Sequence, residues 1–411
     1  MTITSPPNAA LLPLFLSLAL CLFSAVAAGG AELRRSASGL PGLPLSAAVE
    51  GDDFVYLAGA LGTLPGSRSL ADGVEAQTRQ TFENLEATLA GLGLDRTRIV
   101  ELRIFLPDLR FYPAVDAEIG RRFGAAPPTV AVAEAALALP GAEVEIAAVA
   151  AKAGVAIEAL TPAGWRPPPM HFRHALRAGG AIFLSGQVGV DMKTGSAVPG
   201  GTAAQARQAF DNVRQLLEAA GSSLGEVAGC RVFLADARDF SQLNEVWNGL
   251  FTAAPPVRET LQGKLGAPDL RIEVHCYAVG GERRAVEPSG EKPAGQPYST
   301  AIAAGGRLYT SGMVARTAGG WTAGGVRDQT RAVLAKLAAV LEKAGAGPQD
   351  VMDATVVLAH PSYYEAMNEE YRQFFPAALP ARITVVQPLM SAEGLVEISF
   401  VVRLPAPPAA H

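Results

Sequence analysis

The chain is poor in the residues that most readily betray a function. Three cysteines in 411 residues are too few for a disulfide scaffold. With an N-terminal leader set aside only Cys230 and Cys276 remain, on separate strand-like runs, where two buried thiols are expected rather than a bridge. Five histidines include one near pair, His171 and His174, without a third ligand at a recognisable spacing, so no metal site is expected. No run of Lys or Arg exceeds two residues and the net charge is only −5, which leaves nucleic acid and anionic membrane surfaces without an electrostatic footprint. No Gly-x-Ser-x-Gly elbow, Walker loop or dinucleotide fingerprint occurs, and nothing implies a cofactor.

What is present begins with a leader. The apolar run Leu11 to Phe23 is followed by Ser24-Ala25-Val26-Ala27-Ala28, the small residues a signal peptidase needs, so residues 1–27 are expected to be a signal peptide of a periplasmic or secreted protein. An uncleaved leader, long enough to anchor in a bilayer, is the alternative and the one route to a membrane.

From about Gly42 the sequence repeats itself. Three helix stripes align: Phe82, Leu85, Leu89 and Leu92; Phe210, Val213, Leu217 and Ala220; Leu334, Leu337, Leu341 and Ala344. Steps of three and four put each set on one helix face. Gly93, Gly221 and Gly345 follow, where a left-handed helix end favours a residue without Cβ. A second stripe carries Tyr112, Val115 and Ile119; Phe240, Leu243 and Trp247; Tyr364, Met367 and Tyr371. Strand-like runs surround both helices, giving about six strands and two helices per unit, with both helices on one sheet face. The Pro- and Gly-rich stretches 155–169 and 280–297 read as tethers. Units are expected at 40–153, 165–281 and 296–405. The opposite sheet face keeps apolar residues such as Phe183, Tyr277 and Tyr309, which calls for a partner; three tethered copies can cover one another as a pseudo-threefold monomer.

Each of the last two units closes on a charged pair. Pro256-Val257-Arg258 precedes Arg271-Ile272-Glu273-Val274, and Pro380-Ala381-Arg382 precedes Leu395-Val396-Glu397-Ile398, with both arginine and glutamate recurring at an offset of 124. Alternation turns Glu397 away from the helix side of its sheet. Arg382 and Glu397 are expected to converge on one cleft, where a guanidinium can grip a carboxylate. A structural ion pair is the plainer reading of the same charges.

These motifs resemble the RidA (YjgF/YER057c/UK114) family of enamine/imine deaminases, whose closing signature is a Pro-Ala-Arg strand followed by a Val-Glu-Ile-Glu strand. The resemblance implies an α+β fold, three tandem chorismate-mutase-like domains with mixed six-stranded sheets, assembled as an intrachain pseudo-trimer with clefts between units. It also implies a tyrosine early in the unit, a Ser-Gly pair and a helical asparagine in each cleft. The third unit has Tyr298, Ser311, Gly312, Asn368, Arg382 and Glu397; the second has Ser185, Gly186, Asn244, Arg258 and Glu273, with Phe172 at the tyrosine position. The first is degenerate: Leu45, Ala58 and Asp116 replace tyrosine, serine and asparagine, Pro127-Pro128-Thr129-Val130 replaces the arginine motif, and Glu145 alone remains. The implied reaction is hydrolysis of a 2-imino acid to a 2-keto acid and ammonia, with Arg382 holding the carboxylate, Ser311 and Gly312 offering donors, Glu397 orienting water and Tyr298 closing the pocket. The alternatives are an extracytoplasmic protein that binds small carboxylates without turnover, and another reaction, such as chorismate cleavage, on the same fold.

Overall fold

The computed structural model describes residues 32–38, 42–289 and 295–405; the leader read over 1–27 lies outside them. The described residues hold six α-helices: α1 (Gly73–Ala90), α2 (Tyr112–Phe123), α3 (Gly201–Ala219), α4 (Phe240–Leu250), α5 (Val326–Lys343) and α6 (Tyr364–Phe374). The long helix of each repeat buries the stripe that its spacing predicts: Phe82, Leu85 and Leu89 in α1, Phe210, Val213 and Leu217 in α3, Leu334, Leu337 and Leu341 in α5. Gly93, Gly221 and Gly345 all take positive φ, +72°, +66° and +74°, as a left-handed helix exit requires.

Each repeat is a mixed sheet with its two helices on one face. In the second, the strand order runs Val257–Gln262, Val227–Leu234, Ile272–Val279, Ala181–Leu184, Ala175–Ala178, Ile157–Leu160. The strand carrying Arg258 lies parallel to its neighbour, whereas the strand carrying Glu273 lies antiparallel to that same neighbour. The third repeat repeats this order with Ala381–Val386, Val351–Leu358 and Val396–Arg403. First and third sheets also join: Ser46 pairs in parallel with Ala381, and Ala136–Leu137 pairs antiparallel with Val385 and Val386, giving one 14-stranded sheet.

Two expectations need correcting. The Pro- and Gly-rich joints are not bare tethers. Ile157–Leu160 pairs with Ala175–Ala178, and Arg283–Val286 pairs with Ala301–Ala304; each adds an edge strand whose last apolar residue, Leu160 or Val286, is buried. An otherwise open sheet edge is thereby covered. The two cysteines, in turn, are not separate thiols. Cys230 and Cys276 stand directly opposite each other on adjacent antiparallel strands, with Cα atoms 4.1 Å apart, and form a disulfide. Strand pairing across residues 46 apart in sequence is a nonlocal fact that residue spacing does not disclose.

The helix-free faces turn inward together. Tyr56, Phe183 and Tyr309, equivalent positions on the opening strands, pack in one buried cluster with Ala178, Ala228 and Met352, so all three repeats contribute to it. Burial of this shared apolar face is what an isolated repeat would forgo.

Candidate active site at the seams between repeats

A strand of one repeat docks against the opening strand of the next, and the docking is done by a serine. The backbone N–H of Arg258 donates to Ser311 Oγ at 3.0 Å, while Ser311 Oγ donates to the carbonyl of Ser299 at 2.7 Å and Gly312 N–H donates to the carbonyl of Arg258 at 3.2 Å. The first seam repeats the pattern: Val130 N–H donates to Ser185 Oγ at 2.9 Å, Ser185 Oγ donates to the carbonyl of Arg173 at 2.6 Å, and Gly186 N–H donates to the carbonyl of Val130 at 3.1 Å. The hydroxyls and amides expected to serve a ligand are thus engaged in joining repeats. The glycines have a separate task. A Cβ on Gly59, Gly186 or Gly312 would lie 2.1, 2.0 or 1.8 Å from Oε1 of Glu145, Glu273 or Glu397; in all three seams, a carboxyl group rests on bare backbone.

The expected pairing of Arg382 with Glu397 is not what forms. Arg382 stands opposite Ala354, which belongs to the helix-side core, whereas Glu397 stands opposite Val357, which packs in the cluster on the other face. Directly opposed residues share a face, so the two side chains leave the same sheet in opposite directions. Their repeat-mates Arg258 and Glu273 follow suit, so a seam that has such an arginine combines it with the glutamate of the neighbouring repeat.

The second–third seam is the most complete. Its arginine is Arg258, from the second repeat, and the third repeat supplies Tyr298, Ser311, Gly312 and Glu397. The Arg258 guanidinium lies 4.8 Å from the centroids of Trp247 and Tyr298 and 5.2 Å from that of Phe240. Its Nη2 donates to Asn244 Oδ1 at 2.7 Å. Nε and Nη1 have no partner among the described residues although the residue is only 2% exposed. Burial, uncompensated by any carboxylate, pushes its pKa down to about 10. Glu397 is pushed up to about 8, chiefly by burial and further by the nearby Glu259 charge. Tyr298 lies within the field of both: burial raises its phenol, the Arg258 charge opposes that, and Glu397 adds to it.

The other two seams are partial. Between third and first repeats, Arg382 lies 4.7 Å from the Tyr371 ring centroid and its Nη2 reaches Tyr364 Oη at 3.5 Å. Its glutamate is Glu145, raised to about 8 by burial against the pull of Arg382. Leu45 and Ala58 stand where the complete seam has Tyr298 and Ser311. Asn368 is fully buried and, among the described residues, both its polar side-chain atoms are unpartnered, unlike Asn244. Between first and second repeats, Val130 occupies the arginine register, Phe172 packs against the first repeat's core, and Asp116 is held by His171. Glu273 is left there, raised to about 7 by burial alone.

One contribution escaped the sequence reading. Phe240 and Trp247 were expected only as core stripe, yet they bracket the guanidinium. Their spacing with Asn244, four and then three residues, already put all three on one face of α4.

The comparisons with known proteins agree with this architecture. The endoribonuclease L-PSP family model matches three times, over residues 40–152, 165–280 and 289–404. Relatives include a 2-iminobutanoate/2-iminopropanoate deaminase of Escherichia coli, 39% identical over 104 residues, 25% of this chain and 80% of the relative. The mouse protein of the same name is 36% identical over 110 residues, 27% of this chain and 82% of the relative. A RutC family protein of Pyrococcus horikoshii is 36% identical over 107 residues, 26% and 85% respectively. Among solved structures, the yjgF gene product of E. coli is 32% identical and covers 30% of this chain and 99% of its own, with a TM-score of 0.29. The chain belongs to the RidA/YjgF family, as three tandem copies of its domain.

Proposed function

We propose that the chain is an imine/enamine deaminase that converts 2-imino acids to 2-keto acids and ammonia at the seam between its second and third repeats. The observation that carries this reading is Arg258: a buried cation, stacked on aromatic rings, with two free N–H groups and no carboxylate to neutralise it. Such a group is costly unless an anion completes it, and the carboxylate of a 2-imino acid does so with charge-assisted hydrogen bonds. Glu397, held by burial in its acid form at neutral pH, donates a proton to the imine nitrogen. Water then adds to the carbon while Glu397 takes a proton from the water; Glu397 passes that proton to the amine and takes the hydroxyl proton as the C–N bond breaks, so that ammonia leaves, a C=O remains and the acid form of Glu397 is restored. Tyr298 packs over the guanidinium and limits solvent entry. Positioning and proton transfer together supply the acceleration.

The test is direct. 2-Iminopropanoate is generated by an amino-acid oxidase, and its loss is followed with and without the protein. Acceleration that vanishes in Arg258→Lys supports the reading; no acceleration by the unaltered chain ends it.

A second reading, carboxylate binding without turnover, suits the seam of Arg382. That seam keeps an arginine and a raised carboxyl but has Leu45 and Ala58 where the second–third seam has Tyr298 and Ser311. One chain acting as the counterpart of a three-subunit assembly belongs to the same proposal, and a solution mass near 42.6 kDa tests it. The Cys230–Cys276 disulfide favours an oxidising compartment, in keeping with export by the leader; sequencing the N-terminus of the mature protein tests that.

A further inference from the structure

At the centre, where the three helix-free faces meet, there is a cavity of about 80 Å³ that belongs to none of the seams just described. Its aromatic wall includes Tyr56, Phe183, Tyr277 and Tyr309, and its polar lining includes Glu101, Arg103, Arg231, Glu259, His275 and Asp353. Every one of those six polar residues is buried or nearly so.

The charges follow from repeat divergence. Glu101, Gly229 and Asp353 hold one register position in the three repeats, and Arg103, Arg231 and Thr355 hold another. Three identical chains would set three like charges around such a centre. A single chain carrying three copies can vary them one by one, and here it has built a mixed cluster. Arg103 Nη1 meets Asp353 Oδ2 at 2.8 Å, His275 meets Glu101 at 3.3 Å, and Arg231 meets Glu259 at 2.5 Å. Arg231 also donates to Thr355 Oγ1 at 3.1 Å.

The cluster is nonetheless unfinished. Nε and Nη2 of Arg103, which form one edge of its guanidinium, have no hydrogen-bond partner among the described residues, and neither does Oδ1 of Asp353; the Glu101 carboxylate stands 3.8 Å from Nε. Buried polar groups in this condition call for a ligand or ordered water. An edge of two adjacent donors fits a carboxylate, and a neighbouring bare carboxylate oxygen fits an ammonium group. The cluster already holds three carboxyl groups against two guanidinium groups, so a lone anion would add unfavourable charge, and a lone cation would leave the Arg103 edge empty. A molecule carrying both charges completes both groups at once. Size sets the other limit: a cavity of about 150 Å³ takes benzene, so one of about 80 Å³ has room for no more than the smallest amino acids and excludes branched side chains.

We propose that this central cavity is a binding site for the smallest zwitterionic amino acids, glycine first, with the carboxylate on the Arg103 edge and the ammonium group on Asp353. The site is distinct from the seam clefts, although the charges of its Glu259 and Arg231 reach Glu397, so its test is read by binding with the seam arginines removed. The full chain carrying both Arg258→Lys and Arg382→Lys is titrated calorimetrically, and its Tm followed, with glycine, alanine, valine, acetate and methylammonium. Saturable heat and a saturable rise in Tm are expected with glycine, weaker ones with alanine and none with the other three. Ala181, on the cavity wall, provides a variant that leaves the charges in place: Ala181→Leu fills the space and should abolish the glycine response. A response that survives Ala181→Leu, or no response to glycine at all, overturns the proposal. Should that variant fail to fold, a crystal structure of the unaltered chain grown with glycine decides: glycine in the cavity upholds the site and water alone refutes it.

Discussion

The backbone N–H of Arg258 donates to the hydroxyl of Ser311 across 53 residues of sequence, at 3.0 Å. That bond fixes the second repeat's arginine beside the third repeat's Tyr298, while Gly312, whose N–H donates to the Arg258 carbonyl, lies under Glu397. On the proposed function the working unit of the chain is a seam rather than a repeat, and the consequences of mutation should sort by seam.

Arg258→Lys should lower kcat/KM for 2-iminopropanoate by about 10²-fold or more, because an ammonium reproduces neither the planar stacking nor the pair of free N–H groups. Arg382→Lys should cost far less, since its seam has Leu45 and Ala58 in the opposite wall. Steady-state rates of imine loss for the two variants measure the difference. The opposite ranking would move the reaction to the third–first seam.

How far the sequence foretold this is instructive in its particulars. Periodicity located the helix stripes and the glycine exits because both are local properties of the chain. Alternation turned Glu397 away from the helices correctly, for the same reason. It was silent on Arg382 because the facing of a side chain relative to another strand depends on register: Arg382 against Ala354, Glu397 against Val357. Repeats that are alike in sequence also do not state which of their neighbours they face. The central cluster was invisible in the same way, since Glu101, Arg231 and Asp353 come from three repeats and acquire one another only through assembly.

Glu273 offers a test of burial on stability. Its carboxyl is raised to about 7 by burial alone, so between the ordinary carboxylate value of about 4.5 and 7 the folded chain holds a proton that the unfolded chain has released. The stability this group contributes is complete below about pH 4.5 and is lost as pH rises through 7, at up to about 1.4 kcal/mol per pH unit. Glu273→Gln has no such proton to lose. Its stability relative to the unaltered chain should climb across that window, and denaturant midpoints at pH 5, 6 and 7 check the slope.

The disulfide predicts a difference between reduced and oxidised protein. Cys230 and Cys276 tie adjacent strands across a separation of 46 residues, for which the unfolded-chain constraint is worth about 2–4 kcal/mol. Both thiols of the denatured, unreduced protein should resist alkylation, and reduction should lower Tm. Quantitative labelling of both cysteines without reductant would show that the bridge is not made.

Gly312 and Gly59 separate architecture from chemistry. Each lies under a carboxyl group, and a methyl group on either would force that carboxyl to move, from 1.8 Å for Glu397 and from 2.1 Å for Glu145. Overpacking of this kind costs about 1–3 kcal/mol, so Gly312→Ala and Gly59→Ala should lose similar stability. Their effects on turnover should part company. Displacing Glu397 moves the proton donor away from the ligand held by Arg258 and should reduce kcat by about 10²-fold. Displacing Glu145 disturbs a seam with Leu45 and Ala58 at the positions of Tyr298 and Ser311 and should leave kcat within about twofold under conditions where the variant is folded. Equal losses of kcat in both variants would mean that the carboxyl groups act through the rigidity of the assembly, and that Glu397 holds no special place in proton transfer.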